Sequence, residues 1–176
     1  MSEDDRLTRE GAKGLILDSS ALYCGKDLPT EHELIISPGV ALELERHGMK
    51  ERLELLLATR IKVLSPDKTA LAKVMEVSRK SGDSRRLSAT DKEILALALD
   101  LGYELVTDDY SVQNVASILR IPCRGLDQRG ISRVIVWESR CVGCGKRFPA
   151  ETEECDICGS STKTTIKKSQ KRSAAK

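Results

Sequence analysis

Short apolar runs and amphipathic segments alternate along residues 14–125 of the chain. The apolar runs of strand length are residues 14–18, 34–36, 61–64 and 103–107, and the segments with helical spacing are residues 38–47, 50–59, 67–80 and 111–119. Strands that alternate with helices predict an α/β fold, in which helices cover both faces of a parallel sheet.

Local signals mark where two of the predicted helices begin. Ser37 suits the N-cap of the first, and Pro38 suits the first helical position, where the missing N–H is not needed. Thr90 and Glu93 fit a capping box ahead of the apolar face of a further helix, which ends at Gly102. The sequence therefore predicts a helix directly before the last of the four strands.

The chain divides by composition into four segments. Residues 1–13 form a charged N-terminal tail, and residues 14–128 make up the α/β domain. Residues 129–160 contain a strand at 134–137 and a cysteine-rich module, and residues 161–176 form a basic tail. Because that tail is basic and rich in Ser, Thr and Ala, we expect it to be disordered and attracted to polyanions.

Four cysteines behind the α/β domain form two Cys-x-x-Cys pairs separated by ten residues. The pairs are Cys141 with Cys144 and Cys155 with Cys158, and a glycine follows each pair. Four thiolates close a tetrahedral shell around zinc with no open position, so we expect one structural zinc ion in a zinc ribbon. The alternative, two disulfides, is disfavoured in the reducing interior of a cell.

Composition limits where the protein is expected to work. The segment that begins with Met1 is charged and no apolar stretch follows it, so we expect no signal peptide. No apolar run approaches the roughly 18 residues of a membrane span, which predicts a soluble, cytoplasmic protein without a membrane partner. The net charge is +2 and aromatic residues are 3% of the chain, so base stacking is not expected to dominate any binding of nucleic acid.

Acidic residues stand beyond the carboxyl ends of the predicted strands, where parallel sheets place their sites. Asp18 ends the first strand, Asp108 and Asp109 follow the fourth, Asp91 lies in the first turn of a helix, and Glu43 lies in the helix after the second strand. Each acid alone also has an ordinary explanation as a cap, a turn residue or an ion-pair partner. Together they predict a site for magnesium or manganese that acts on phosphates.

The order of these motifs resembles the PIN domain, a family of metal-dependent ribonucleases. The matching segments are Asp18-Ser19-Ser20-Ala21, Val40-Ala41-Leu42-Glu43-Leu44-Glu45, Thr90-Asp91-Lys92-Glu93-Ile94 and Leu105-Val106-Thr107-Asp108-Asp109-Tyr110. With the cysteine module and the segments 108–116 and 129–137 included, residues 14–160 resemble more narrowly the archaeal Nob-one endonuclease family.

The resemblance implies an endoribonuclease that matures the 3′ end of precursor small-subunit (16S) ribosomal RNA by cutting single-stranded RNA. Its implied partners are the precursor RNA, the pre-ribosomal particle and an assembly-factor protein. Asp18, Asp91 and Asp109 would hold one or two magnesium or manganese ions, and Glu43 would bind metal or orient water. The Thr-x-Asp pattern favours Asp109 over its neighbour Asp108 as the metal ligand.

Two further sets of residues complete the predicted site. Ser20 and Thr107 are expected to support the carboxylates by hydrogen bonds. RNA must be held by basic residues, because an acidic pocket repels phosphate. The candidates, each of which could also be a solvated surface charge, are Arg79, Lys80, Arg85, Arg86, Lys146, Arg147 and the basic tail.

Three rival hypotheses use the same sequence differently. A PIN-type toxin ribonuclease would share the fold and the acids, but such toxins usually lack a zinc ribbon. A non-catalytic RNA-binding factor in ribosome assembly would not need the acids, all of which are present in this chain. A transcription-type zinc ribbon that binds protein partners would leave the acids unexplained.

Overall fold

Five short strands form a parallel sheet in the first part of the chain. They are β1 (Leu15–Leu17), β2 (Leu34–Ile36), β3 (Ile61–Val63), β4 (Glu104–Val106) and β5 (Cys123–Arg124). The computed structural model of the protein describes residues 14–23, 31–126 and 130–171. The sheet has the order β3-β2-β1-β4-β5, and every neighbouring pair is parallel. The predicted α/β sheet is confirmed.

Helices connect and cover these strands. Among the described residues they are α1 (Ser19–Tyr23), α2 (Pro38–Arg46), α3 (Lys50–Thr59), α4 (Lys68–Ser81), α5 (Ala89–Leu101) and α6 (Tyr110–Ile118). Strands β1 and β2 are fully buried, as expected for a sheet covered on both faces. Helix α1 was not predicted, because five residues are too few to show helical periodicity. Across the part of the chain that the structure describes, no helix has the length and apolar character needed to cross a membrane.

Helix α5 begins with a different cap from the predicted one. The Ser88 hydroxyl accepts the Asp91 N–H at 3.0 Å, and the Asp91 carboxylate accepts the Ser88 N–H at 2.7 Å, which is a complete capping box. The predicted box of Thr90 and Glu93 is therefore wrong. The Glu93 carboxylate instead accepts the N–H of Gly39 at 2.9 Å, which ties α5 to the first turn of α2.

A second, antiparallel sheet follows the α/β domain. Its strands are β6 (Arg133–Cys141), β7 (Arg147–Pro149) and β8 (Thr162–Lys171), in the order β7-β6-β8. The disorder predicted for residues 161–176 is therefore wrong for residues 162–171. Their backbone groups pair along β6, a partner that the local sequence does not reveal. Residues 172–176 and the predicted tail at 1–13 lie outside the described residues.

The second sheet is anchored to the α/β domain by a buried polar contact that we call the docking seam: Gly82, Asp83, Asn114, Ile135 and Trp137. The Asn114 amide donates to the Ile135 C=O and accepts the Ile135 N–H, both at 2.8 Å. The Asp83 carboxylate is 1% exposed and accepts from Asn114 at 2.7 Å and from the Trp137 indole at 3.0 Å. A Cβ on Gly82 would lie 2.9 Å from that of Trp137, so the backbones approach closely.

Candidate active site and metal centres

The predicted acids come from separate elements that meet at the carboxyl edge of the parallel sheet. Asp18 directly follows β1, and Asp109 follows β4 as the N-cap of α6. Asp91 is the third residue of α5, and Glu43 lies on α2. The fold thus brings residues that are distant in sequence to one edge, as parallel sheets do.

Asp18 is the most buried of these acids and the most firmly held. It is 7% exposed, and its Oδ2 accepts hydrogen bonds from the Thr107 hydroxyl at 2.7 Å and the Ser20 hydroxyl at 3.0 Å. The supporting hydrogen bonds predicted for these two hydroxyls are therefore present. The Thr107 hydroxyl also accepts the Asp109 N–H at 3.1 Å, so one buried side chain fixes the spacing of two acids.

The pKa of the Asp91 carboxyl depends on its burial and on the charges of Asp18 and Asp109. Burial raises the pKa of its carboxyl, hydrogen bonds from Ser88 lower it, and the charges of Asp18 and Asp109 raise it further. This repulsion is the condition that a divalent cation relieves. The Asp91 and Asp109 carboxylates each use one oxygen to cap their own helix, at Ser88 and at Ser111 respectively. Their other oxygens accept no hydrogen bond from the described part of the chain.

Asp108 has a backbone partner of its own. Its Oδ1 accepts the N–H of Leu126 at 2.8 Å, so the carboxylate is used to hold the chain behind β5. Its neighbour Asp109 is the exposed residue of the two, with Oδ1 accepting the N–H groups of Ser111 and Val112. The two adjacent aspartates therefore have different backbone partners: Leu126 for Asp108, and Ser111 and Val112 for Asp109.

Tyr23 is a residue at the acidic edge that the sequence analysis missed. Its pKa is raised by partial burial and by the charges of Glu43 and Asp18. The hydroxyl donates to the Glu43 C=O at 3.4 Å, and the ring packs edge-on against His47. Tyr23 lies about one helical turn beyond Asp18, so predicting helix α1 would have placed it near that acid.

The acids suit a hard divalent cation by residue type, since such ions take carboxylate oxygens and often keep several waters. The acids lie at one edge of the sheet, but their oxygens do not form a tight cluster around one point. Among the described residues, a group of three or more ligand atoms within 4.8 Å of one another occurs only at the cysteines. Bound water would have to fill the rest of any coordination shell at the acidic edge.

The cysteine group fits a tetrahedral metal. Cys141, Cys144, Cys155 and Cys158 place their sulfurs within 4.8 Å of one another, with the Cys141–Cys158 and Cys144–Cys155 pairs at 3.4 and 3.5 Å. Sulfurs about 2.3 Å from a central zinc are separated by roughly 3.8 Å, whereas disulfide sulfurs are about 2.05 Å apart. The disulfide alternative therefore does not match the geometry, and the predicted four-cysteine site is present.

Local hydrogen bonds lower the pKa of two of the four thiols, Cys141 and Cys158. The pKa of Cys144 is instead raised to about 11: the Lys146 N–H lowers it, but the Cys155 thiol and burial outweigh that effect. Hydrogen bonds from Ser160 lower the pKa of Cys158 to about 6, and the Cys144 N–H lowers that of Cys141. Thiolates are the form that binds metal. Gly145 and Gly159, which follow the two pairs, have φ of 76° and 67°, a left-handed conformation that L side chains rarely adopt.

Most of the predicted RNA-binding residues contact acids or an aromatic ring within the chain. The ion pairs are Lys80–Glu76, Arg85–Glu153, Lys146–Asp156 and Arg147–Glu138. The Arg86 guanidinium lies 3.7 Å from the centre of the Trp137 ring, and Arg79 is exposed at the end of α4. A cavity of about 250 Å³ lies between Arg85, Arg86 and the second sheet, away from the acidic edge. An RNA-binding role for these residues stays a prediction.

Comparison with known proteins identifies the family. The model of the PIN domain of ribonuclease matches residues 15–101. The chain is 40% identical over 152 residues to "Endoribonuclease Nob1" of Pyrococcus abyssi, which covers 85% of this chain and 91% of the relative. It is 38% identical over 158 residues to "Endoribonuclease Nob1" of Methanocaldococcus jannaschii, covering 88% of this chain and 79% of the relative.

A relative with a different name matches over a similar length. The chain is 39% identical over 148 residues to "Ribonuclease VapC1" of Thermoplasma acidophilum, covering 84% of this chain and 76% of the relative. All three relatives are named as ribonucleases, and each aligns with this chain over most of its length. The resemblance noted in the sequence is confirmed. The chain belongs to the PIN-domain endoribonucleases of the family that includes archaeal Nob1.

Proposed function

We propose that this endoribonuclease matures the 3′ end of precursor small-subunit (16S) ribosomal RNA by cutting a single-stranded segment. The observation that carries the proposal is the combination of two units in one chain: a PIN domain with its acids, and a four-cysteine sheet docked on it. Relatives named Nob1 share this chain over 79% to 91% of their own length, which supports the same organisation. The substrate would be RNA within a pre-ribosomal particle, where an assembly-factor protein could meet either unit.

The proposed catalytic residues are Asp18, Asp91 and Asp109, with Glu43 beside them. Asp18, Asp91 and Asp109 would hold magnesium or manganese, which when bound lowers the pKa of water and stabilises charge on the attacked phosphate. The Thr107 hydroxyl keeps the Asp18 carboxylate and the Asp109 backbone in fixed relation. The fourth acid, Glu43, would bind metal or orient water, a role supported by its charge and that of Asp18 both raising the pKa of Tyr23 after burial.

The four cysteines are proposed to hold one structural zinc ion. With four protein ligands the shell is closed, so the metal has no position open for substrate or for a reacting water. Its role would be to hold together β7, β6 and β8, since Cys141 ends β6 and the loop carrying Cys144 leads into β7. The same sheet carries Lys146 and Arg147, which are proposed to contact RNA together with the predicted set Arg79, Lys80, Arg85 and Arg86.

A second candidate is a ribonuclease that acts on other RNA. The 39% identity to the protein named Ribonuclease VapC1 favours this alternative, because that match covers 84% of this chain. The acids and their chemistry would be unchanged. The difference lies in the RNA that the second sheet and its basic residues select.

The deciding experiment offers the protein two RNAs of equal length with manganese or magnesium: one spans the mature 3′ end of the small-subunit RNA, and the other has the same composition in scrambled order. Cleavage at one position in the first RNA, absent for Asp18→Asn, supports the proposed function. Equal cleavage of both RNAs supports the second candidate. Tight binding without cleavage, on the isolated RNA and on purified pre-ribosomal particles, contradicts the proposed function.

A further inference from the structure

Gln113 is a buried amide that joins two distant parts of the chain. It lies in α6 and is 1% exposed. Its Nε2 donates to the Thr107 C=O at 2.9 Å, and its Oε1 accepts the Ile131 N–H at 2.9 Å. A buried amide is costly unless both of its ends are hydrogen-bonded, and this one is bonded at both ends to backbone. An apolar residue would fill the same space in the helix without binding either segment.

Thr107 connects Gln113 to the acids. It is fully buried, and its N–H donates to the Arg124 C=O of β5. Its hydroxyl donates to the Asp18 carboxylate and accepts the Asp109 N–H, as described above. With the Gln113 amide on its C=O, the polar groups of Thr107 are fixed from several directions. A shift of the Thr107 carbonyl would turn the hydroxyl away from Asp18.

Ile131 connects Gln113 to the second sheet. It lies two residues before β6, the strand that carries Cys141 at its other end. The neighbouring helix residue, Asn114, holds the same strand at Ile135 and reaches Asp83. Asn114 has no hydrogen bond to Thr107 or to the catalytic acids among those of the described residues. Two adjacent side chains of α6 therefore hold the second sheet, and one of them also holds the active site.

We propose that Gln113 is a positioning residue that ties the alignment of Asp18 and Asp109 to the segment that enters β6 at Ile131. The inference rests on the proposed catalytic role of these two acids. Through two consecutive hydrogen bonds, Gln113 links the start of β6 to the residue whose hydroxyl orients the acids. The active site is then complete only when the segment before β6 lies against α6.

The test compares Gln113→Leu with Asn114→Leu. The first removes two hydrogen bonds, to Thr107 and to Ile131 just before β6, and the second removes three, two of them to Ile135 in β6. Loss of a group that orients a metal ligand typically lowers metal affinity or activity by about tenfold or more. For Gln113→Leu we expect kcat on a single-stranded RNA to fall about tenfold with KM unchanged, and Mn²⁺ affinity to weaken several-fold. For Asn114→Leu we expect a lower melting temperature but kcat and Mn²⁺ affinity close to those of the unmodified protein.

Ile131→Pro provides a variant outside the helix, in case Gln113→Leu does not fold. It removes the N–H that donates to Gln113. It also replaces the isoleucine side chain and restricts the backbone at residues 130 and 131. We expect a smaller fall in kcat in the same direction. Equal losses of kcat in Gln113→Leu and Asn114→Leu, or unchanged kcat and Mn²⁺ affinity in both Gln113→Leu and Ile131→Pro, would overturn the proposal. Because Mn²⁺ binding needs no particular RNA, this result is independent of whether ribosomal RNA is the substrate.

Discussion

The parallel sheet and the antiparallel sheet of this protein are stabilised in different ways. The largest fully buried side chains, from Leu15 to Leu105, all belong to the α/β domain. In β6, β7 and β8 the buried positions are instead polar or cysteine: Glu138, Ser139 and Cys141. A three-stranded sheet without an apolar core needs another source of stability. The docking seam supplies contacts to the α/β domain, and the zinc ion proposed for the four cysteines would add to them. One half is stabilised by hydrophobic burial, whereas the other relies on docking and on the proposed metal.

Charge is divided between the halves in a similar way. The α/β domain places carboxylates at one edge, where they raise the pKa of Asp91. The second sheet ends in a strand with exposed lysines, and two basic pairs face each other across β6 and β8: Arg133 with Lys171 and Arg140 with Lys163. Like charges in directly opposite positions are destabilising, so a bound polyanion would stabilise the second sheet. The catalytic metal is thus proposed for the α/β domain alone, whereas basic residues proposed to contact RNA lie on both halves.

The largest expected effect comes from removing the zinc ion proposed for the second sheet, which tests whether the two halves are stabilised independently. Cys158→Ser takes away an exposed ligand without disturbing a buried side chain. We expect loss of bound zinc and unfolding of β6 to β8, because about 10–16 kcal/mol of zinc-binding free energy is folding free energy in such sites. Trypsin should then cut the lysine-rich strand β8, while the α/β domain keeps its cooperative melting.

The matched control is Cys123→Ala, which removes a thiol from the other sheet. This side chain is in β5 and 9% exposed. We expect it to keep full zinc content and to lower the melting temperature of the α/β domain. If Cys158→Ser also abolished the melting transition of the α/β domain, the two halves would not be stabilised separately.

The second prediction concerns activity in the α/β domain. Asp18→Asn and Asp91→Asn should each lower the cleavage rate on the order of 10²- to 10³-fold, since a bound metal contributes several kcal/mol of transition-state stabilisation. Folding and zinc content should be unchanged, as shown by circular dichroism and metal analysis. Asp100→Asn, an exposed acid near the far end of α5, is the control. Retained cleavage in both Asp18→Asn and Asp91→Asn would exclude the proposed metal site.

The third prediction breaks the docking seam. Asp83→Ala leaves the donors of Ser81, Asn114 and Trp137 without their acceptor, which should lower the free energy of unfolding by about 3 kcal/mol. The loss should be seen by urea denaturation monitored through Trp137 fluorescence. The exposed surface substitution Glu76→Ala should cost much less. A loss of similar size in both variants would mean that the seam contributes no particular stability.

The sequence predicted the features that residues close along the chain determine, and it missed features that depend on tertiary contacts. Asp18, Asp91 and Asp109 could be found because each follows a strand or opens a helix that its own neighbours specify. The cap of α5 was ambiguous, since both Ser88 with Asp91 and Thr90 with Glu93 fit the pattern. Tertiary packing decided it: a Cβ on Gly39 would lie 2.7 Å from the Thr90 hydroxyl, so Thr90 is pressed against α2 rather than free to cap.

Features that depend on distant partners could not be predicted. Strand β8 has a polar, basic sequence that by composition resembles a disordered tail, and its pairing with β6 decides its structure. The amide of Gln113 has no motif to mark it, because its partners Thr107 and Ile131 are identified only by the fold. Asp83 lies between Lys80 and Arg85, two of the predicted RNA-binding residues, and nothing local indicates its burial against Trp137 of β6.

The fourth prediction uses the ionisation of Asp83. Burial raises the pKa of this carboxyl above its usual value of 3.8, although hydrogen bonds from Ser81, Asn114 and Trp137 oppose the shift. The folded protein therefore binds this proton more tightly than the unfolded chain does. The stability gained from this proton is fully present below pH 3.8 and is lost as pH rises through the higher folded-state pKa, while the hydrogen bonds that Asp83 accepts remain. The free energy of unfolding should fall with pH over that interval more steeply in the unmodified protein than in Asp83→Asn, and identical slopes would contradict this sign.

The smallest expected effect tests whether the second sheet contacts RNA phosphates. The double variant Lys163→Ala with Lys168→Ala removes two exposed charges from β8. Each lost contact with single-stranded RNA should reduce the slope of log K against log salt by about 0.7, so the slope should fall by about 1.4. The matched control removes Lys50 and Lys68, which are exposed on α3 and α4. Both variants carry the same net charge, so an equal change in slope would mean that RNA responds to overall charge, whereas a change confined to the first assigns RNA binding to the half that lacks the catalytic acids.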